Sequence, residues 1–132
     1  MFIKRSLILL VLGLFVGCTS QQTVDFQLAE KVSFTRIEPE HRGKIKEFTV
    51  NDKEYIELNN WLNNNKNGWE KIKTERYPTH LIHSGKYWIG IVDNTVLIFY
   101  QEYIDSTYIY QKPIKVDELI FLNKGSFMYK DD

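Results

Sequence analysis

Residues 86–101 read KYWIGIVDNTVLIFYQ, and this stretch decides the fold. Two apolar runs flank Asp93 and Asn94, residue types that tolerate a positive φ angle, so the pattern predicts a β-hairpin with a two-residue primed turn. The turn sets which residues of the two strands face each other: Val92 with Thr95, Ile91 with Val96, Gly90 with Leu97, Ile89 with Ile98, Trp88 with Phe99 and Tyr87 with Tyr100.

Both faces of this hairpin are apolar. One face carries Tyr87, Ile89, Ile91, Val96, Ile98 and Tyr100, and the other carries Trp88, Gly90, Val92, Thr95, Leu97 and Phe99. A hairpin with one face in water would alternate polar and apolar residues, so we expect this pair of strands to be central in its sheet and covered on both sides. One helix can cover only one face. The second face must be covered by the early strands, the C-terminal segment or a partner.

Upstream of the hairpin, one segment has the spacing of an amphipathic helix. Its apolar side chains fall within an arc of about 120° at about 100° per residue. They are Tyr55, Leu58, Trp61 and Leu62. Asn51 or Asp52 is positioned to cap the helix, and Glu54 is placed to complete a capping-box-like start. The poor helix formers at residues 63–67, followed by Gly68, predict its end.

Shorter alternating segments predict further strands at residues 31–38, 44–50, 69–74, 79–83 and 107–111. We expect turns at residues 39–43 and 77–78, and a polar loop at residues 102–106. Residues 116–123 fit either a short helix ended by Gly125 or a strand that turns back into residues 126–129, and we favour the helix. The predicted fold is therefore of the α+β class: an antiparallel sheet with one amphipathic helix packed on one face and a short C-terminal helix.

The N-terminal stretch has the pattern of a secretion signal. Lys4 and Arg5 form a positively charged start, and residues 6–16 are almost wholly apolar. This apolar core has the length of a signal-peptide core and is shorter than the ~20 residues that a membrane-spanning helix needs. It ends in the small residue Gly17, followed by Cys18, the one cysteine of the chain.

Residues 15–18, Phe-Val-Gly-Cys, resemble the lipobox of bacterial lipoproteins, in which the cysteine thiol takes a diacylglycerol, the peptide is cut before it and the new amino terminus is acylated. The resemblance implies a signal peptide at residues 1–17 and lipidation of Cys18. Phe15 stands where the family's pattern usually has Leu, and an ordinary cleaved signal with an incidental Cys18 is the alternative. Thr19 stands where an inner-membrane retention signal would have Asp. The resemblance therefore implies the outer membrane, facing the periplasm, if the cell is Gram-negative.

The rest of the chain has the size of one small domain. We expect the polar residues 18–28 to form a disordered, lipidated tether and residues 29–132 to form a single globular domain. Of the 17 basic residues, Lys4 and Arg5 leave with the signal, so 15 remain against 17 acidic residues, a net charge of −2. This balance indicates no nucleic-acid partner and no basic face for anionic lipid.

Residues that could carry catalysis or hold a metal are sparse. His80 and His83 lie three apart on a predicted strand, where side chains alternate between faces, so they would form no ready two-ligand metal site. The chain has no nucleophile elbow, no phosphate-binding loop and no His-Glu-x-x-His helix. Glu54 and Glu57 point away from the apolar arc and are typical of a solvated helix face. We therefore expect no enzymatic activity, no cofactor and no metal.

Aromatic residues of the hairpin are the best candidates for binding. The missing side chain of Gly90 leaves a dip beside Trp88 and Phe99, and Trp is favoured at the centres of protein interfaces. The favoured alternative is that Gly90 lets another element pack closely. For function, we expect an envelope lipoprotein whose non-enzymatic domain binds an envelope protein. The alternative is an inhibitor or immunity protein that neutralises a periplasmic enzyme or toxin, with the loop at residues 102–108 entering its active site.

Overall fold

The structure, a computed structural model, describes residues 21–38, 41–74, 76–103, 106–123 and 126–128. The elements within these residues are β1 (Gln21–Gln22), β2 (Lys31–Glu38), β3 (His41–Thr49), α1 (Lys53–Asn64), β4 (Trp69–Ile72), β5 (Arg76–Pro78), β6 (His80–Ser84), β7 (Tyr87–Val92), β8 (Thr95–Tyr103), β9 (Ser106–Pro113) and β10 (Ser126–Met128). Eight strands form one antiparallel sheet in the order β1-β4-β9-β8-β7-β6-β2-β3, and β10 pairs with β5 in a separate two-stranded sheet. The fold is of the α+β class, as predicted, although the sheet makes up most of it.

The β7–β8 hairpin has the predicted register. All six facing pairs are those expected from a turn at Asp93-Asn94. These two residues have φ angles of 49° and 55°, so both adopt the left-handed conformation that a type I′ turn requires. The hairpin lies between β9 and β6 in the middle of the sheet, which confirms its predicted central position.

Helix α1 packs on one face of the sheet and closes the larger hydrophobic core. Its four predicted core residues are all buried there: Tyr55, Leu58, Trp61 and Leu62. The predicted capping box is not formed, because Asp52, the N-cap, accepts a hydrogen bond from the backbone N–H of Thr49 at 2.7 Å and makes no cap bond to the helix. Within the described residues, no helix has the length and apolar character needed to span a membrane.

A smaller core covers the second face of the hairpin. Leu97 and Phe99 are buried there, and Tyr77 of β5 stacks on Phe99 with ring centroids 5.7 Å apart. The prediction of a turn at Tyr77-Pro78 is therefore wrong, because both residues belong to β5 and pack on this face. The covering element is β5, which was not among the three predicted coverings; β10, from the C-terminal segment, pairs with β5 in the small second sheet.

The predicted C-terminal helix is not formed. Residues 116–123 form consecutive turns, with hydrogen bonds such as that from the Leu122 N–H to the Leu119 carbonyl at 3.0 Å. Leu119 has a φ of 49°, which interrupts a right-handed helix. The alternative hairpin is also wrong, because Ser126–Met128 pairs with β5 and not with residues 119–122.

The segment preceding β2 belongs to the domain. Gln21 pairs with Glu70 of β4, the Val24 N–H donates to the Lys66 carbonyl at 2.7 Å, and Phe26 is buried with its ring edge-on to Tyr87. The prediction of a disordered tether is therefore wrong for residues 21–28. The backbone pairing and the buried Phe26 ring together hold this segment against the domain. Cys18 and the predicted signal lie outside the described residues.

Two predicted connections are shorter than expected. The strand β3 begins at His41, so most of the predicted turn at residues 39–43 is strand. Likewise β8 extends to Tyr103 and β9 begins at Ser106, so residues 102, 103 and 106 of the expected polar loop at residues 102–106 are strand. Residues 104–105 lie outside the described part of the chain.

Candidate functional site

The dip predicted over Gly90 is filled by β5. The Pro78 ring lies directly over Gly90, where an added Cβ would lie 2.5 Å from Pro78 Cβ. Phe99 is buried beneath Tyr77. Gly90 therefore permits close packing of another element, and the predicted groove beside it is not open.

The third predicted binding residue, Trp88, remains half-buried. Its indole stacks face to face on His83, with centroids 4.0 Å apart and planes 11° apart. His80 lies on the opposite face, against the ring of Phe34 at 5.6 Å. The two histidines thus lie on opposite faces, as predicted. In the part of the chain that the structure describes, no three His, Cys, Asp or Glu side chains are grouped to hold a metal ion.

The described residues form a cleft between α1 and the turns at residues 117–121, which the sequence did not indicate. It has two adjoining parts that share Glu57. The part near the end of α1, here called the acidic pocket, has a volume of about 270 Å³. Its walls are formed by Glu57, Trp61, Asn64, Asn65, Asp117, Glu118 and Leu119.

The other part of the cleft, here called the apolar groove, lies near the start of α1 and has a volume of about 610 Å³. It is lined by Lys53, Glu54, Ile56, Glu57, Ile120 and Phe121. Ile56 is 46% exposed and Ile120 is 61% exposed. Val116, 76% exposed, immediately precedes the pocket residue Asp117. Two of the five exposed large hydrophobic side chains in the described residues, Ile56 and Ile120, therefore line the cleft.

Buried leucines hold these turns in place and turn their neighbours outward. Leu119 and Leu122 are each 1% exposed and belong to the main core. Phe121 packs against Phe34 and Phe48, at centroid distances of 6.2 and 6.1 Å. Leu119, Phe121 and Leu122 thus pack in or against the core. Ile120, which lies between them in the sequence, remains exposed on the surface. The apolar run at residues 119–122 was the signal available in the sequence, but it did not reveal which side chain stays exposed.

The electrostatic potential in the acidic pocket is negative. Three carboxylates, those of Glu57, Asp117 and Glu118, line it, and none of the described lysines or arginines does. Glu118 Oε1 accepts a hydrogen bond from the backbone N–H of Lys115 at 3.1 Å. The pocket also lies at the C-terminal end of α1, whose last turn carries no basic residue, so the helix dipole adds negative potential.

Trp61 forms part of the pocket wall and is 6% exposed. Its indole Nε1 is buried and has no hydrogen-bond acceptor among the described residues. Its neighbour Trp69, by contrast, donates from Nε1 to the Asn65 carbonyl at 2.6 Å, and Asn65 Nδ2 donates to the Trp61 carbonyl at 2.8 Å. These two bonds fix the end of α1 and therefore the shape of the pocket.

A row of tyrosines lies at the other end of the hairpin, on the helix side. Tyr87 stacks on Tyr100 at 4.9 Å and Tyr100 on Tyr108 at 6.3 Å, with the Lys71 ammonium 4.1 Å from the Tyr108 ring. Burial raises the pKa of Tyr87, with smaller contributions from Tyr100 and Tyr110. The row thus links β7, β8 and β9 through ring contacts on the helix side of the sheet.

Comparison of the chain with known protein families, with curated proteins and with solved structures finds no match.

Proposed function

We propose that this protein is a lipid-anchored lipoprotein of the bacterial envelope whose domain binds another envelope protein and performs no catalysis. The observation that carries the binding role is that two exposed aliphatic side chains, Ile56 and Ile120, line one cleft beside Phe121. Single exposed apolar residues are common on protein surfaces, but a contiguous group beside a concave, charged rim is typical of an interaction site.

The anchor is supported by the signal-peptide pattern and by Cys18 after Gly17. In a Gram-negative cell the predicted location is the outer membrane, facing the periplasm. Thr19 and Ser20 alone separate Cys18 from Gln21 of β1, and three residue steps reach at most about 10 Å. A lipidated Cys18 would therefore hold the β1 edge of the sheet close to the bilayer.

The short connection to Cys18 would also place the cleft near the membrane. Thr23 Oγ1 donates to Asn67 Oδ1 at 2.9 Å, and Val24 bonds to Lys66, so the N-terminal segment lies beside the end of α1. The acidic pocket, which includes Asn65, is at the same end of the helix. A partner in the cleft would thus be bound near the membrane surface.

The test is photo-crosslinking in cells that carry the full-length protein. A benzophenone amino acid replaces Ile120 in one variant and Ile45 in the control, because Ile45, on the edge strand β3, is 53% exposed but lines neither part of the cleft. We expect a discrete protein adduct from position 120, none from position 45, and loss of the adduct when Cys18→Ala removes the anchor. Adducts from both positions, or from neither, would contradict the proposal.

A third crosslinking position, Trp88, tests the aromatic site predicted from the sequence. An adduct from Trp88 alone would move the binding site to the opposite face of the sheet. One enzyme or toxin captured in a one-to-one complex, and inactivated by it, would instead favour an inhibitor or immunity protein.

A further inference from the structure

The charge and shape of the cleft specify the chemistry of what binds there. We propose that its occupant is a basic amphipathic segment of the protein partner: a Lys or Arg side chain enters the acidic pocket, and a large apolar side chain of the same segment fills the apolar groove. The inference rests on the proposed function and adds to it the kind of sequence that is recognised.

Charge complementarity selects a basic segment. Glu57 and Asp117 form no ion pair with any described residue, so both carboxylates are available to a cation. An acidic segment would meet three like charges and the negative end of α1. The groove is less negative, because Lys53 lines it together with Glu54 and Glu57. The cationic group is therefore directed to the pocket and not to the groove.

Exposed aliphatic surface selects the apolar part of the segment. Ile56 and Ile120 line the groove from its two sides, and Phe121 closes it. The Ile56, Ile120 and Phe121 side chains carry no hydrogen-bonding groups, so the polar groups of a sugar or a polar metabolite would find no partner on this part of the lining. A large aliphatic or aromatic side chain has no such cost.

The geometry also sets the spacing between the two side chains. The α1 residues lining the pocket are centred about six positions beyond those lining the groove, which corresponds to about 9 Å at 1.5 Å per residue. A helical partner covers this distance in about six residues, so its basic and apolar side chains would lie near positions i and i+7 of one face. An extended partner would cover it in about three residues.

Binding can be measured with defined peptides and the full-length lipidated protein in nanodiscs. The probes are three synthetic helical peptides of about 14 residues: one with Arg and Leu at i and i+7, one with Glu in place of Arg, and one with Ser in place of Leu. We expect the first to bind at least tenfold more tightly than either of the others, and its affinity to fall with added salt. Dissociation constants are obtained by fluorescence anisotropy of labelled peptides.

Matched variants locate the site. Asp117→Lys should weaken the Arg peptide roughly tenfold and strengthen the Glu peptide, because the charge pair is reversed. Ile120→Ser should weaken the Arg peptide, whereas Ile45→Ser should not; both side chains are exposed, so neither change disturbs the core. The indole N–H resonance of Trp61, assigned from Trp61→Phe, should shift when the Arg peptide binds, because Trp61 lines the pocket.

The inference is overturned if the three peptides bind equally, if none binds, or if Asp117→Lys fails to reverse the charge preference. It also fails if the partner segment crosslinked from position 120 in cells lacks a basic residue, although the proposed binding function then stands. If neither the cellular adduct nor peptide binding is found, the inference and the proposed function fail together.

Discussion

Replacing Gly90 by alanine tests whether the second face of the central hairpin is closed by β5. An alanine Cβ would lie 2.5 Å from Pro78 Cβ, closer still to Pro78 Cγ, and 2.8 Å from Leu81 Cδ2. Pro78 is fully buried and its ring is rigid, so it cannot rotate away as a flexible side chain would. The strand β5 must therefore shift, and its pairing with β10 must adjust.

The expected cost follows from these contacts. Overpacking a dense core costs about 1–3 kcal/mol, and a clash with a rigid ring belongs at the upper end, about 3 kcal/mol. Alanine regains about 0.5–1 kcal/mol because glycine loses more conformational freedom in a strand. The net loss in the free energy of unfolding is therefore about 2 kcal/mol. With a urea dependence of about 2 kcal/mol/M, the unfolding midpoint falls by about 1 M.

Urea unfolding followed by circular dichroism measures this change. The control is Gly43→Ala, because Gly43 also lies in a strand but no atom approaches within 4 Å of an added Cβ. It should match or slightly exceed the wild type in stability. Adding Pro78→Gly to Gly90→Ala removes the clashing ring, so the double variant should lose less than the sum of the single losses. Equal stability of the Gly90→Ala and Gly43→Ala variants would refute the packing of β5 on the hairpin.

Three further measurements test other contacts. Phe26→Ala should lower the free energy of unfolding by about 3 kcal/mol because the ring is buried, with exposed Gln27→Ala as control; no loss would mean that residues 21–28 do not pack on the domain. Asn94→Val should lose about 1–2 kcal/mol and Asn94→Gly little, since φ is positive there; similar thermal midpoints for both would argue against a type I′ turn. Burial raises the pKa of Tyr87 in the folded protein above its ordinary value of 10.0. The folded state therefore binds the phenol proton more tightly than the unfolded state; the resulting contribution to the free energy of unfolding is fully present below pH 10 and is lost as the pH rises through the folded pKa. The stability difference between wild type and Tyr87→Phe should therefore change between pH 8 and pH 11, and a constant difference would contradict this.

The local sequence pattern was sufficient to predict those parts of the fold that depend on residues close together in the chain. The turn at Asp93-Asn94 determined the register of the central hairpin, because two residues with positive φ leave one way to pair the apolar runs that flank them. The apolar stripe of α1 was likewise predictable from helical periodicity, and it is buried as expected. The alternation of faces also placed His80 and His83 on opposite sides of the sheet.

Contacts between distant segments were decided only in the tertiary structure. The Pro78 ring over Gly90, Phe26 against Tyr87, and the turns around Leu119 against α1 all depend on which element finally packs where. Hydrophobic periodicity does not predict these contacts. Phe26 is a single buried aromatic residue in a polar stretch, and Leu119 has a positive φ angle, so neither belongs to a regular helix or strand pattern. Sequence alone therefore determined the signal-like start, the central hairpin and the helix stripe. The cleft arose from the packing of α1 against the C-terminal turns, whose buried leucines leave Ile120 at the surface beside the carboxylates of the pocket.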